Sequence, residues 1–246
     1  MSHIVCSTSV QSGVVDIFLN RPEKCNALDH SMLEELLVCL QKLSACREQL
    51  ICIRAKGNVF CAGLDLKQVA GYCADGDRVS LRSLNQLVGR VLEALRTLNN
   101  WVVVMVEKPV YGGGIGLLAA ADYVVMVPSV TLHLSELRIG LIPGQIYPYL
   151  YEKIGPCAQS LVVMSKTMDA KKAFQVGLVQ MIADSPDMYT KTLTKVHLKG
   201  HCEFKSLAQT MLPAIELQGW QHRAANSFAD QAMIAYESGY FSNYSV

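Results

Sequence analysis

The sequence predicts an α/β layer fold with a helical C-terminal part, and three observations carry that expectation. Short β-rich apolar runs alternate with segments whose leucines and valines recur at helical spacing. Two of the strand-like runs lead into glycine-bearing loops that open into helix-forming residues. From Tyr189 to Tyr236 the chain is polar and helical in character, with Met211, Leu212, Ile215 and Leu217 at helical spacing.

Taken in order, Val14 to Leu19 is a β-rich apolar run that the turn-like Asn20-Arg21-Pro22 ends. Ser31-Met32-Leu33-Glu34 has the capping-box form, and Leu33, Leu36, Leu37, Leu40 and Leu43 then mark a helix with one buried face. Leu50 to Arg54 reads as a second strand, followed by the loop Phe60-Cys61-Ala62-Gly63-Leu64-Asp65. A polar stretch around Asp75-Gly76-Asp77, expected to be mobile, precedes a longer amphipathic helix through Leu84, Leu87, Val88, Val91, Leu92, Leu95 and Leu98. Trp101 to Val106 follows as a buried strand, then Gly112-Gly113-Gly114-Ile115-Gly116 and a helix from Leu117 to Ala121. Tyr123 to Val127 and Thr131 to Leu134 are further strands. Asp169 should cap a helix that Gly177 stops.

Composition excludes several classes. Lys plus Arg number 22 against 21 Asp plus Glu, spread along the chain, so no electrostatic footprint for nucleic acid is present. No apolar run reaches the ~18 residues needed to span a bilayer, and the first residues lack the basic and apolar pattern of a secretion signal. A cytoplasmic protein without a membrane partner is expected. The nine cysteines are scattered and odd in number, and Cys39, Cys46, Cys52 and Cys61 form no C-x-x-C pair and have no His at ligand spacing, which predicts reduced thiols and no metal site.

Glycines at 112, 113 and 114 strip every Cβ from one turn, so the backbone there can approach a ligand and direct N–H groups at it from the positive end of a helix. Phosphate and the oxyanion of an activated carbonyl both suit that physics. Gly114-Ile115-Gly116-Leu117-Leu118-Ala119 fits a dinucleotide pattern, with Glu136 about 20 residues on. The strand that should end in that acid is over at Val127, however, which weakens the phosphate reading. Cys61-Ala62-Gly63-Leu64-Asp65 is a second loop of the same character, and two separate N–H donors are what an oxyanion needs. His30 and His133 have bland surface or strand readings, and Tyr111 and Tyr147 read as packing residues with a hydroxyl that could reach a ligand.

Several segments occur together in a specific order: Arg21-Pro22 with Asn26-Ala27-Leu28; Phe60 to Leu66; Gly112 to Gly116; Ala121-Asp122; and Ser135-Glu136-Leu137-Arg138-Ile139-Gly140-Leu141-Ile142-Pro143. Over about residues 12 to 180 this set resembles the crotonase (enoyl-CoA hydratase/isomerase) superfamily. The resemblance implies a ββα spiral core over 1–185. It also implies a C-terminal helical region over 186–246, part of the same unit, that forms a lid or packs a homotrimer or a pair of trimers.

The resemblance further implies that Leu64 and Gly113 supply two oxyanion-holding N–H groups and that Glu136 moves a proton. Ala62, Gly63, Gly112, Gly114 and Gly116 would shape the acyl site. Arg21, Ala27 and Lys67 would lie along the pantetheine arm of a CoA or acyl-carrier-protein thioester, with no cofactor beyond that arm. Hydratases of this superfamily use two glutamates; here the position of the first is Gly116. A single carboxylate suits a 1,3-proton shift or a syn elimination better than hydration, and cycling a proton this way would ask Glu136 for a raised pKa. Within the superfamily the segments are most similar to the dehydratases of polyketide β-branching, which remove water from 3-hydroxy-3-methylglutaryl on a carrier protein, and next to methylglutaconyl-CoA hydratases. A dinucleotide oxidoreductase and a catalytically silent scaffold are the readings from other classes.

Overall fold

The computed structural model describes residues 2–9, 13–45, 50–134, 136–187, 189, 198–211 and 217–242. Cys46, Ser135, Leu212 and Ile215 lie outside them. A central sheet runs in the order β1 (Ile4–Ser9), β2 (Val14–Leu19), β3 (Leu50–Ala55), β4 (Trp101–Val106), β6 (Tyr123–Met126), β9 (Met181–Ile182). β1 is antiparallel to β2, and every later neighbour is parallel. Beside it lies a small sheet in which β5 (Val110–Tyr111) pairs parallel with β7 (Thr131–His133), and β7 pairs antiparallel with β8 (Thr167–Asp169).

Side chains alternate across the central sheet, as the two-residue period of a strand requires. Val15, Ile17, Ile51, Ile53, Val102, Val104 and Val124 face the main core, while Val14, Leu50, Cys52, Val103, Met105 and Val125 face the other side. On the first face lie α1 (His30–Leu43) and α3 (Arg78–Thr97). Leu33, Leu36, Leu37 and Leu40 of α1 are buried, each stabilising the fold by about 2 kcal/mol relative to an exposed side chain. α2 (Leu66–Ala74) connects to α3 by a turn in which Asp77 caps α3, its Oδ1 accepting from Ser80 N at 2.9 Å.

The structure departs from the sequence reading in several places. β1 was not anticipated, because Cys-Ser-Thr-Ser is polar; it is an edge strand in which Ile4 alone is a core residue. The helix cap is Asp29, whose Oδ1 accepts from Met32 N at 2.8 Å, so Ser31 and Glu34 fall inside the helix instead of forming a capping box. α5 (Tyr147–Ile154) and α6 (Cys157–Met164) also went unread, their apolar residues being too short a run to show a period. Asp169 and Gly177 behave as expected, bracketing α7 (Ala170–Gln175). The described cysteines are free thiols.

The C-terminal helices, α8 (Leu198–Met211) and α9 (Leu217–Glu237), fold back onto their own chain. Lys205 of α8 reaches the end of the sheet, donating to Asn100 O at 3.1 Å and to Asp122 Oδ2 at 2.6 Å. Trp220 Nε1 donates to Gly144 O at 2.6 Å, and Ile142 N donates to Gln231 Oε1 at 2.8 Å. Those two bonds clip α9 over the loop that follows Glu136. Among the described residues no helix is long and apolar enough to cross a membrane.

Candidate functional site

The segment after β3 is held on both sides. Leu28 N donates to Gly63 O at 2.7 Å, Asp65 N donates to Leu28 O at 3.0 Å, and Tyr111 N donates to Cys61 O at 2.8 Å. Asp65 then caps α2, accepting from Lys67 N and Gln68 N. Burial works against its charge, but the Arg21 guanidinium and the helix amides outweigh it and hold the carboxyl below its usual pKa. Gly63 has φ +82, a left-handed conformation that glycine adopts without strain.

The second loop backs onto the first. Gly112, at φ +46, donates its N–H to His133 O at 2.8 Å, and α4 (Gly113–Ala120) starts at the next residue. A Cβ on Gly63 would lie 3.1 Å from Gly113 N, and one on Gly113 would lie 3.7 Å from Leu64 N. The two amides are therefore close neighbours, and any side chain at 63 would crowd the second of them. Among the described residues, nothing in the protein accepts a hydrogen bond from Leu64 N or Gly113 N. Gly113 also opens a helix, so its N–H carries the partial positive charge of the helix end. At the other end Lys153 Nζ donates to Leu118 O at 3.0 Å and Ala121 O at 2.6 Å, and burial lowers its pKa to about 8.

Glu136 begins a 3₁₀ turn, Glu136–Ile139, anchored by Leu141 N donating to Glu136 O at 3.0 Å. Its side chain is half-buried, and Oε1 lies 3.1 Å from where a Cβ on Gly112 would stand. Ala62, Gly63, Leu64, Gly112, Gly113 and Glu136 line one cavity of about 90 Å³. Tyr111 joins them, its ring stacked on His133 with centroids 4.6 Å apart. His133 itself stands behind Tyr111, bonded to Thr131 and Thr167, and burial lowers its pKa.

Other residues singled out from the sequence stand apart from this lining. A Cβ on Gly114 would come within 2.7 Å of Cys61 Cβ and 2.8 Å of Val110 Cγ1, so that glycine serves close packing. Gly116 faces Leu92 and Ile146, which lie 3.1 and 3.2 Å from its would-be Cβ. The two bare faces in the dinucleotide-like pattern are thus covered by protein. Arg21 is engaged with Asp29 at 3.1 Å and Asp65 at 2.8 Å, and donates to Ala27 O, tying the caps of α1 and α2 together. Ala27 is buried and Lys67 is exposed on the first turn of α2. Tyr147 packs near Trp220, and His30 lies beside Glu34 in the first turn of α1.

Sequence reasoning missed the far wall. Asn85 and Val88 of α3, Gln145 and Ile146, and Phe228 of α9 complete the cavity. Asn85 could have been noticed as a polar residue on the apolar face shared by Leu81, Leu84 and Val88. For Gln145 and Phe228 no local signal exists, because they arrive through tertiary packing.

A model of the enoyl-CoA hydratase/isomerase family matches residues 9–238. The enoyl-CoA isomerase/hydratase fer4 of Mycosarcoma maydis is 28% identical over 227 residues, covering 86% of this chain and 76% of that one. The bacillaene synthase dehydratase PksH of Bacillus subtilis is 25% identical over 209 residues, covering 82% and 79%. An enoyl-CoA hydratase/isomerase structure from Marinobacter aquaeolei superposes with a TM-score of 0.76 at 25% identity, covering 94% of this chain and 91% of that one.

Proposed function

The chain belongs to the enoyl-CoA hydratase/isomerase family, and we propose that within it this protein is a lyase that dehydrates a short 3-hydroxyacyl thioester through an enolate. The observation that carries the reading is the composition of the cavity. Glu136 is the one carboxyl among its described lining residues, beside the Leu64 and Gly113 amides, and Leu92 and Ile146 fill the space at Gly116.

In this reading the thioester oxygen sits against the N–H groups of Leu64 and Gly113. The Glu136 carboxylate removes the α-proton, and the C–H electron pair becomes the enolate, whose oxygen charge the two amides stabilise. Donors fixed in advance, in a site with little water, are worth about 3 kcal/mol each to such a charge. The enolate electrons then form the Cα–Cβ double bond as the β-hydroxyl departs. Glu136 returns its proton to that hydroxyl, so water leaves and the carboxylate is regenerated. One group thus serves as base and acid in turn.

A cavity of about 90 Å³ favours a short acyl group. The acyl group proposed is 3-hydroxy-3-methylglutaryl or one like it, carried on CoA or an acyl carrier protein whose arm is part of the substrate. The same single carboxylate would serve a 1,3-proton shift, which keeps enoyl isomerisation as the second reading, with methylglutaconyl-CoA hydration behind it. A cytoplasmic homotrimer or pair of trimers completes the proposal, and light scattering on the purified protein tests the assembly.

Mass spectrometry of 3-hydroxy-3-methylglutaryl thioesters, on CoA and on carrier protein, tests the chemistry. Loss of one water with the wild type and none with Glu136→Gln is the expected result. Equal conversion by both proteins would remove Glu136 from its role. Failure to exchange the α-proton into deuterated water, despite binding, would leave a silent scaffold.

A further inference from the structure

The far wall of the cavity carries a polar device that the proposed proton transfer does not use. Asn85 is 6% exposed and Gln145 2% exposed, both among apolar neighbours, and both line the cavity. Gln145 Nε2 donates to Gln221 O at 2.9 Å and to Asn85 Oδ1 at 3.0 Å. A backbone carbonyl can only accept, so the first bond fixes which end of the Gln145 amide is nitrogen. The second then fixes Asn85, with its oxygen toward Gln145 and its NH2 turned away from it. No described residue accepts from Asn85 Nδ2.

The arrangement is built, not incidental. The Gln145 amide lies against bare Gly89, where a Cβ would come within 2.5 Å of Gln145 Oε1. Gln221 Nε2 in turn donates to Gly89 O at 3.3 Å, so α3, α9 and the Gln145 loop are sewn together at this point. Asn85 lines the cavity, so a ligand oxygen there can take the hydrogen bond that Nδ2 does not give to the protein. No Lys, Arg or His is among the described lining residues, so the partner of Asn85 is better a hydroxyl of the acyl group than its carboxylate.

Building on the thioester reading above, we propose that Asn85, oriented by Gln145, selects acyl groups that carry a hydroxyl by donating a hydrogen bond from Nδ2 to that oxygen. Asn85 is then a specificity-determining residue and Gln145 a positioning one.

The test is calorimetric titration of 3-hydroxybutyryl-pantetheine and butyryl-pantetheine into the full chain carrying Glu136→Gln, which prevents turnover. Pantetheine is the arm that CoA and carrier proteins share. A preference of about tenfold for the hydroxylated ligand is expected, the worth of one net hydrogen bond. Asn85→Leu should abolish that preference while leaving butyryl binding in place. Asn85→Ala, which removes both polar ends without adding bulk, guards against misfolding of the first variant and should lose the preference as well. An unchanged ratio in both variants overturns the role of Asn85 and leaves the thioester reading standing. Binding of neither ligand to the Glu136→Gln protein would overturn both.

Discussion

Glu136 Oε1 and the missing side chain of Gly112 compete for one place: a Cβ on Gly112 would stand 3.1 Å from that oxygen. The carboxyl is thus packed directly against the turn that begins the glycine-loop helix. Substitution by alanine would also force a left-handed residue, φ +46, at a cost of about 1–3 kcal/mol. Gly112→Ala should lower turnover about a hundredfold, as displacements near 1 Å do in preorganised sites. Steady-state kinetics alongside thermal melting separates the two effects. A variant as active as wild type would show that the carboxyl has room to spare.

The packing at Gly116 makes a second prediction. Leu92 Cδ1 and Ile146 Cγ1 lie 3.1 and 3.2 Å from its would-be Cβ, so Gly116→Glu alone should destabilise the fold by about 1–3 kcal/mol without adding hydratase activity. Combined with Leu92→Ala, which opens the space, the new carboxyl should raise hydration of crotonyl-CoA above that of Leu92→Ala alone. Hydration assays on the three variants decide it; no gain in the double variant would mean that residue 116 does not border the reacting carbons.

Arg21 joins the two helix caps Asp29 and Asp65, with all three side chains 12–13% exposed. Arg21→Met should cost about 3 kcal/mol by leaving two carboxylates in a partly buried site without their counterion. The sign of the pH effect follows from Asp65, whose pKa is lowered in the fold: its stabilisation is present above the unfolded value of 3.8 and is lost as pH falls through the lower folded value. Urea unfolding of wild type and variant from pH 7 downward should therefore converge in acid. Curves that stay parallel would place the charge interaction elsewhere.

Cys61, fully buried beneath the first loop, has its thiol pushed up from 9.0 to about 12 by burial. Unfolding exposes it and lets it ionise, so its contribution is present below pH 9 and declines toward pH 12. Between pH 8 and pH 10 the stability of wild type relative to Cys61→Ala should fall by about 1.4 kcal/mol. Lys153 has the opposite sign in this range, gaining stability as pH rises above about 8, but it is common to both proteins and cancels in the difference. A difference that is flat with pH would mean that the thiol ionises equally in both states.

Much of this could be seen in the amino-acid order, for a physical reason. Strand β4 is a continuous apolar run ended by Glu107-Lys108, and β2 is one broken only by Asp16 and ended by Asn20-Arg21-Pro22, so their limits are legible to the residue. The loops at 61–65 and 112–116 announce themselves because glycine is required where backbones meet. Their roles in binding were less legible. The glycine pattern points to Gly114 and Gly116 as part of a ligand site, whereas the structure sets them against Cys61, Val110, Leu92 and Ile146. Sequence shows that a Cβ is missing but not what occupies its place. Asn85, Gln145 and Phe228 are separated by 60 and 83 residues along the chain (145 − 85 and 228 − 145), and no local pattern records their meeting.

Phe228 follows Glu136 by 92 residues (228 − 136), yet both border the same cavity. During synthesis, therefore, the loops carrying Leu64 and Gly113 and the acid itself leave the ribosome well before the helix that roofs them. Until that helix docks, through Trp220 on Gly144 and Gln231 on Ile142, the floor stands open to water.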